Sequence, residues 1–113
     1  MKIIHYTGVT PAPVTQEGAE QVTIRWLVAK EDGAPTFAMR LFEIESGGHT
    51  PTHRHSWEHE VFILEGDAAV VREGREVPIR PGTAVYVPPG EEHGFVNKGK
   101  TAVRMLCMVP VRK

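Results

Sequence analysis

Short apolar segments separated by closely spaced turns constrain this chain more than any other feature. Turn signals rich in glycine and proline recur roughly every 7 to 10 residues, and no segment of sufficient length has the period of an amphipathic helix. The apolar pattern predicts strands over residues 21–29, 36–45, 60–64, 67–72, 75–79, 83–87 and 101–109. Regular short strands of this kind predict an all-β fold, an antiparallel sandwich or barrel.

The length and charge of the chain exclude several classes of protein. A chain of 113 residues has room for one core, and its net charge of −1 gives no reason to expect a nucleic-acid or membrane partner. We predict an N-terminal arm over residues 1–20 and a barrel domain over residues 21–113. The first residues lack the apolar core of a signal peptide, and the single cysteine excludes an internal disulfide. We therefore expect a cytoplasmic protein.

Three histidines within seven residues precede the apolar strand at 60–64, namely His53, His55 and His59. Alternate residues of an extended chain point the same way, so His53 and His55 share a face. A turn through residues 56–58 is long enough to bring His59 back towards them, and His93 is a fourth candidate from a later segment. Neutral imidazole is the commonest metal-binding side chain, so the pattern favours a metal site over four unrelated surface histidines.

Two motifs place these histidines in a recognisable frame. The first reads G-x5-H-x-H-x3-H-x6-G over residues 47–66, and the second reads G-x5-P-x-G-x2-H-x3-N over residues 82–97. They resemble the two signature motifs of the cupin superfamily. The 15 residues between Gly66 and Gly82 match the short spacing of compact microbial single-domain cupins. The resemblance implies a double-stranded β-helix, or jelly-roll, barrel of antiparallel strands.

One position departs from the commonest cupin pattern, because His59 stands where many cupins have glutamate. The chain therefore resembles the four-histidine subgroup of small cupins, some of which hold manganese or iron. This resemblance implies one divalent metal ion per chain, with manganese or iron first and zinc, copper or nickel as alternatives. It implies a ligand set of His53, His55, His59 and His93. Protons compete for the same imidazoles, so we expect metal loss below about pH 6.5.

The sequence leaves the function open between several classes. The leading hypothesis is dioxygenase-like oxygen or peroxide chemistry on a small organic substrate, in which the metal acts as a Lewis acid. A cupin that only binds or senses a small molecule would carry the same motifs, and so would a metal-dependent isomerase or lyase that stabilises an enolate. No catalytic acid or base can be named, and whether the protein is an enzyme stays undecided.

Five residues outside the ligand set receive two interpretations each. Glu58 and Glu60 either accept hydrogen bonds from ligand imidazoles or lie in solvent. Trp57 either lines a pocket mouth or packs at an interface. For Arg40 we favour a surface ion pair over an anion-steering role. For Cys107 we favour a small buried hydrophobe over an oxidisable thiol beside the metal.

The strand at residues 60–64 also bears on assembly. Its apolar residues fall on both faces, so one face fills the barrel and the other needs a cover. A second sheet, the N-terminal arm or a partner chain would provide it. Together with the resemblance, this pattern predicts a homodimer.

Overall fold

The computed structural model describes residues 1–112, and these residues form nine β-strands and two short 3-10 turns with no α-helix. The strands are β1 Ala12–Pro13, β2 Glu20–Val28, β3 Phe37–His49, β4 His59–Glu65, β5 Ala68–Arg72, β6 Arg75–Ile79, β7 Ala84–Val87, β8 Gly94–Asn97 and β9 Val103–Pro110. The predicted all-β class is thus confirmed, and the predicted barrel end at residue 113 lies outside the described residues. Within that described part, the chain has no helix with the length and apolar character needed to span a membrane.

All strand pairs are antiparallel, and strand β3 connects the two halves of the curled sheet. The strand order is β6-β5-β8-β3-β9-β4-β7, with β2 paired to β3 and β1 paired to β2. Residues 37–44 of β3 pair with β9, whereas His49 at its end pairs with Val96 of β8. One long strand thus brings the side chains of β2, β8 and β9 around a common interior.

Strand β3 continues past residue 45, where the predicted strand ends, and runs through the glycine pair at residues 47–48. Its end stays paired with β2, because His49 is opposite Glu20 across a register shift. A Cβ at Gly48 would lie 2.7 Å from the Glu20 carbonyl oxygen, so the absence of a side chain permits this close approach. Here glycine allows tight pairing instead of ending the strand.

The core consists of alternate side chains from several strands. Val103, Met105, Cys107 and Val109 of β9 are buried on one face, as their shared parity predicts. Val61 and Ile63 of β4 join them; other members are Val22, Ala38, Ile44, Ala68, Val70, Ile79 and Phe95.

The outer face of β4 is not covered within the described chain. Phe62 is 40% exposed and Leu64 is 41% exposed, so the expectation that both faces are covered is wrong for a single chain. The described chain therefore covers these two side chains only in part. A partner chain would cover the remainder of this face.

The N-terminal segment packs against the sheet through β1. Ala12 pairs with Ile24 and Pro13 with Thr23, so the chain runs beside β2 before it turns at residues 16–18. Residues 14–16 then reach the interior of the barrel. The boundary between arm and barrel at residue 20 remains a prediction.

Candidate metal centre

The backbone brings the two motifs together at one end of the barrel. His53 and His93 exchange two main-chain hydrogen bonds, each with an N···O distance of 2.9 Å. Gly94 permits this approach, because a Cβ there would lie 2.8 Å from the Thr52 hydroxyl oxygen. The amide of Gly90 donates to the carbonyl of His55 at 2.8 Å, which fixes the second imidazole beside the first.

The four predicted histidines form one cluster. Ring centroids of contacting histidine pairs lie between 4.4 and 5.2 Å apart, and ring nitrogens of His53, His55 and His93 lie within 4.8 Å of one another. His59 joins them through its Nε2, which is 2.5 Å from Nε2 of His55. Two ring nitrogens this close cannot both carry a proton directed at the other, so at least one of them presents its lone pair to the cluster. The remaining described histidines, His5 and His49, are exposed and lie outside the cluster.

The outward ring nitrogens have partners that leave the inward nitrogens free. Nδ1 of His55 donates to the carbonyl of Trp57 at 2.8 Å, and Nδ1 of His93 donates to the carbonyl of Glu91 at 2.9 Å. A proton held on Nδ1 leaves the Nε2 lone pair free to bind a metal ion. These two imidazoles are therefore oriented as metal ligands usually are.

The other two histidines use side chains as outward partners. Nδ1 of His53 lies 3.2 Å from the side-chain amide of Gln16, and Nδ1 of His59 lies 2.9 Å from Sγ of Cys107. Both contacts span long sequence separations, so no local motif reveals them. Gln16 went unnoticed in the sequence, and Cys107 is more than a buried hydrophobe, because its sulfur contacts an imidazole of the cluster.

Glu58 and Glu60 do not accept the imidazole protons, because both are exposed and main-chain carbonyls fill that role. Trp57 stacks on His55 with centroids 4.2 Å apart and planes 6° apart. The guanidinium of Arg112 covers the same indole ring at 3.7 Å from its centroid. Trp57 therefore holds a ligand candidate in place by packing.

Burial and nearby positive charge favour the neutral form of His53, His55 and His59. Burial first, and then the nearby positive charge of Arg40, lower the pKa of His59 to about 3. The pKa values of His53 and His55 are also lowered, first by burial and then by neighbouring histidines and arginines, although the hydrogen bond to the Trp57 carbonyl partly raises that of His55. A neutral imidazole is the form that binds metal, so the environment favours the binding-competent state.

A cavity of about 340 Å³ opens beside the cluster. Its walls include Trp26, Phe42 and Phe95, and His53, His59 and His93 form one end. Among the described residues, no aspartate or glutamate lines it. The cavity therefore has aromatic walls and candidate metal ligands that are all imidazoles, so its lining carries no negative side chain.

Arg40 lines the same cavity and is not a surface ion pair. Its Nη2 donates to Sγ of Cys107 at 2.9 Å and lies 3.4 Å from Nδ1 of His59. No carboxylate among residues 1–112 lies within 4.0 Å of it. The strand register holds the signal that the sequence analysis did not use, because Arg40 is directly opposite Cys107 on β9 and Trp26 on β2.

The donor set fits a divalent transition metal. Imidazole nitrogen suits zinc, copper, iron and nickel, and oriented Nδ1 partners are typical of metal-binding histidines. With four nitrogen ligands, a six-coordinate ion keeps two positions for other molecules, whereas a tetrahedral zinc ion keeps none. The histidine cluster can therefore hold a metal, and the preferred coordination number decides whether a substrate can reach it.

An antiparallel jelly-roll with a histidine cluster at one end defines a class of protein. A family model for the cupin domain, Cupin_2, matches residues 40–109, and the chain belongs to this family. The cupin superfamily and the single-domain jelly-roll fold predicted from the motifs are thereby confirmed.

Individual relatives have varied functions. The chain is 39% identical to the polyketide cyclase RemF from Streptomyces resistomycificus, with a TM-score of 0.94 over 99% of this chain and 80% of that one. It is 27% identical to an oxalate-binding protein of Thermotoga maritima, covering 95% of this chain and 92% of that protein. It is 30% identical to the dimethylsulfoniopropionate lyase DddW of Ruegeria pomeroyi, covering 82% of this chain and 70% of that protein.

Proposed function

We propose that this cupin binds one divalent metal ion through His53, His55, His59 and His93 and acts as a metal-dependent catalyst on a small enolisable carbonyl compound. The observation that carries the proposal is a cavity with aromatic walls and no carboxylate, lined by three imidazoles of the four-histidine cluster, those of His53, His59 and His93. A bound divalent ion would supply Lewis-acid stabilisation of negative charge on a carbonyl oxygen. The reaction class is therefore one in which an enolate-like charge develops.

The side chains of the chain have separate roles in this proposal. The imidazoles hold the ion without reducing its charge, since they are neutral, so anionic oxygen is favoured at the site. Trp26, Phe42 and Phe95 exclude water and provide flat apolar walls for a planar substrate. No residue is assigned as the acid or base that moves the substrate proton.

The proposed substrate class agrees with one of the relatives. Polyketides carry several enolisable carbonyl groups, and a cyclase joins such carbons within one molecule. RemF, named as a polyketide cyclase, matches 99% of this chain. We therefore propose that the substrate is a planar polyketide-like or 1,3-dicarbonyl compound.

Dioxygenase-like chemistry is the second candidate. It is favoured by the number of ligands, because four nitrogens around a six-coordinate ion leave two positions for dioxygen and an organic substrate. A third possibility is binding without turnover, in line with the oxalate-binding protein of Thermotoga maritima. These three functions differ in what they consume.

One experiment separates them. The metal-loaded protein is mixed with a small 1,3-dicarbonyl probe in D₂O, and exchange of the acidic C–H is followed by NMR while an electrode records dioxygen. We expect metal-dependent exchange under anaerobic conditions and no uptake of dioxygen. Dioxygen uptake coupled to loss of the probe would support the dioxygenase-like function. Bound metal without either reaction would support a binding protein.

Membership of the four-histidine manganese or iron subgroup belongs to the same proposal. The resemblance of the two motifs supports manganese or iron, although intrinsic affinities place manganese lowest in the divalent series. Elemental analysis of protein purified without an affinity tag, with EPR of the same sample, tests this. About one manganese or iron per chain is expected; one tightly held zinc would contradict it.

We also propose that the protein is a cytoplasmic homodimer. The exposed side chains of Phe62 and Leu64 on β4 give the dimer a face to bury. Sedimentation at micromolar concentration tests it, and a monomer of 12.5 kDa would remove the dimer from the proposal.

A further inference from the structure

We propose that Arg40 is the anion-binding side chain of the cavity, and that it selects a planar aromatic ligand with a negatively charged oxygen. The inference deepens the proposed function and relies on it for the metal ion, but the action of Arg40 needs no metal. Arg40 lines the cavity from β3, and its guanidinium is separated from the centre of the cluster by the ring of His59. A ligand in the cavity therefore meets both groups.

The charge of Arg40 is not neutralised by the protein. A guanidinium keeps its proton under all ordinary conditions, and this one has no carboxylate within 4.0 Å among residues 1–112. Arg25 on the neighbouring strand shows the contrast, since its Nε lies 3.2 Å from Oε1 of Glu43. An uncompensated charge beside a cavity without acidic residues makes an anion the favoured occupant.

Arg40 also has donors to spare. Its Nη2 is engaged by Cys107 at 2.9 Å, whereas its Nε is buried and has no partner among the described residues. No hydrogen bond joins Nη1 to another described residue either. Nη1 is not among the fully buried atoms, so it is the donor that remains for a ligand oxygen.

Aromatic rings hold the guanidinium in position before any ligand arrives. Its central carbon lies 5.4 Å from the ring centroid of Trp26 and 5.0 Å from that of Phe42. These contacts restrict an otherwise flexible side chain, so little further ordering is needed on binding. The same two rings line the cavity, and they favour a flat apolar body attached to the anionic group.

A purely structural role makes a different prediction. Nη2 lies 3.4 Å from Nδ1 of His59, so in a purely structural role Arg40 would keep that imidazole in place and bind no ligand. Its loss would then weaken the metal site. If Arg40 instead serves to bind an anion, its loss should strengthen metal binding about 3- to 10-fold, because a positive charge near the metal ion has been removed.

Calorimetry with two probes of the same shape tests the inference. Benzoate and its neutral counterpart benzamide are titrated into metal-free and metal-loaded protein, for wild type, Arg40→Met and Arg40→Lys. Arg54→Met is the matched control, because Arg54 is an exposed arginine between His53 and His55, and its one salt bridge among the described residues is to Glu92, at 3.8 Å. Metal affinity of each variant is measured separately by competition with a chelator.

In metal-free wild type we expect benzoate to bind at least about tenfold more tightly than benzamide. Arg40→Met should remove that preference, Arg40→Lys should retain part of it, and Arg54→Met should keep it. Equal binding of both probes to wild type, no measurable binding of either, or a preference that survives in Arg40→Met would overturn the inference. A tenfold fall in metal affinity in Arg40→Met would also overturn it, in favour of a role in positioning His59.

The two proposals can fail separately. If no variant binds metal but metal-free wild type still prefers benzoate, the metal-dependent function is wrong and the role of Arg40 stands. If metal binds and the probe preference is absent, only the role of Arg40 is wrong.

Discussion

Strand β3 carries a polar cluster on each face, and the two clusters differ in how their charges are balanced. On the cavity side, Arg40 contacts His59 and has no carboxylate within reach among the described residues. On the other side, Glu43 is buried between Arg25 at 3.2 Å and Arg104 at 2.9 Å. One cluster is neutralised by the chain itself, and the other is not.

The difference separates charge that stabilises the fold from charge that awaits a ligand. A buried carboxylate with good partners contributes to a specific native state, and removal of one partner is strongly destabilising. An unbalanced arginine beside neutral imidazoles lowers stability, and such groups cluster where proteins bind or react. The comparison therefore predicts that changes on the cavity side alter binding, whereas changes on the other side alter stability.

His59→Gln should give the largest effect, and on binding. The free energy of metal binding at structural sites with four ligands is about 10–16 kcal/mol. One ligand therefore accounts for roughly a quarter of it, or about 3 kcal/mol. We expect metal affinity to fall about 100-fold or more, measured by competition with a chelator.

His49→Ala is the control for that substitution, because His49 is exposed and outside the cluster. Its metal affinity should equal that of wild type. An unchanged affinity in His59→Gln would reduce the ligand set to His53, His55 and His93, whose nitrogens already lie within 4.8 Å of one another.

Glu43→Gln should show the reverse pattern, with lost stability and unchanged binding. The substitution removes the buried carboxylate that pairs with both Arg25 and Arg104. Because their charges would then lack this partner, we expect the free energy of unfolding, measured with urea, to fall by about 3 kcal/mol. Glu65→Gln is the matched control on the exposed side of Arg104 and should cost under about 1 kcal/mol. A change in metal or benzoate affinity in Glu43→Gln would break the division between the two faces.

The same division explains what could be predicted from the sequence. Turn spacing and alternation predicted seven of the nine strands in the described residues, all but β1 and β8, because those signals are local, and the two motifs predicted which histidines lie together. The partners of the imidazoles could not be predicted. Two are main-chain carbonyls, which have no side-chain signature, and Cys107 and Gln16 come from segments 48 and 37 residues away from their histidines.

Errors in the sequence analysis arose where backbone geometry outweighed composition. Gly48 permits a close strand approach instead of a break, and Glu58 and Glu60 point to solvent although they flank His59. For Arg40 the sequence favoured a surface ion pair over an anion-steering role, because a lone arginine on a strand usually forms such a pair, and the ion pair is wrong. Only the register, which sets it opposite Cys107, reveals the cavity.

Gln16→Leu should give a smaller effect on the cavity side. Its amide lies 3.2 Å from Nδ1 of His53, and loss of such a partner typically weakens metal binding 10- to 100-fold. Gln16 is exposed, so we expect the lower end, about tenfold, with stability unchanged. Glu17→Gln, an exposed neighbour, should have no effect. Equal metal affinity in Gln16→Leu would mean that water serves the same imidazole equally well.

Acidification of the metal-free protein should give the smallest effect. It should lower the free energy of unfolding, because the pKa of His59 on the cavity side is lowered in the folded state. Burial and Arg40 lower the pKa of His59 to about 3, whereas an unfolded histidine has a pKa near 6.5. Between these values the unfolded chain binds the extra proton, so stability is lost as pH falls through this window and levels off below about 3. From pH 6.5 to 5.5 this one group should cost about 1 kcal/mol.

Urea unfolding at the two pH values measures that loss, and His59→Gln should show less of it. The same loss in both proteins would assign the pH dependence to other groups, including His53 and His55, whose pKa values are also lowered. Because protons compete less well for imidazoles with a low pKa, the metal-loaded protein should keep its ion below pH 6.5, the threshold that unperturbed histidines would set. Metal loss already complete at about pH 6 would show that the neutral, unbalanced cavity does not protect its ligands from protons.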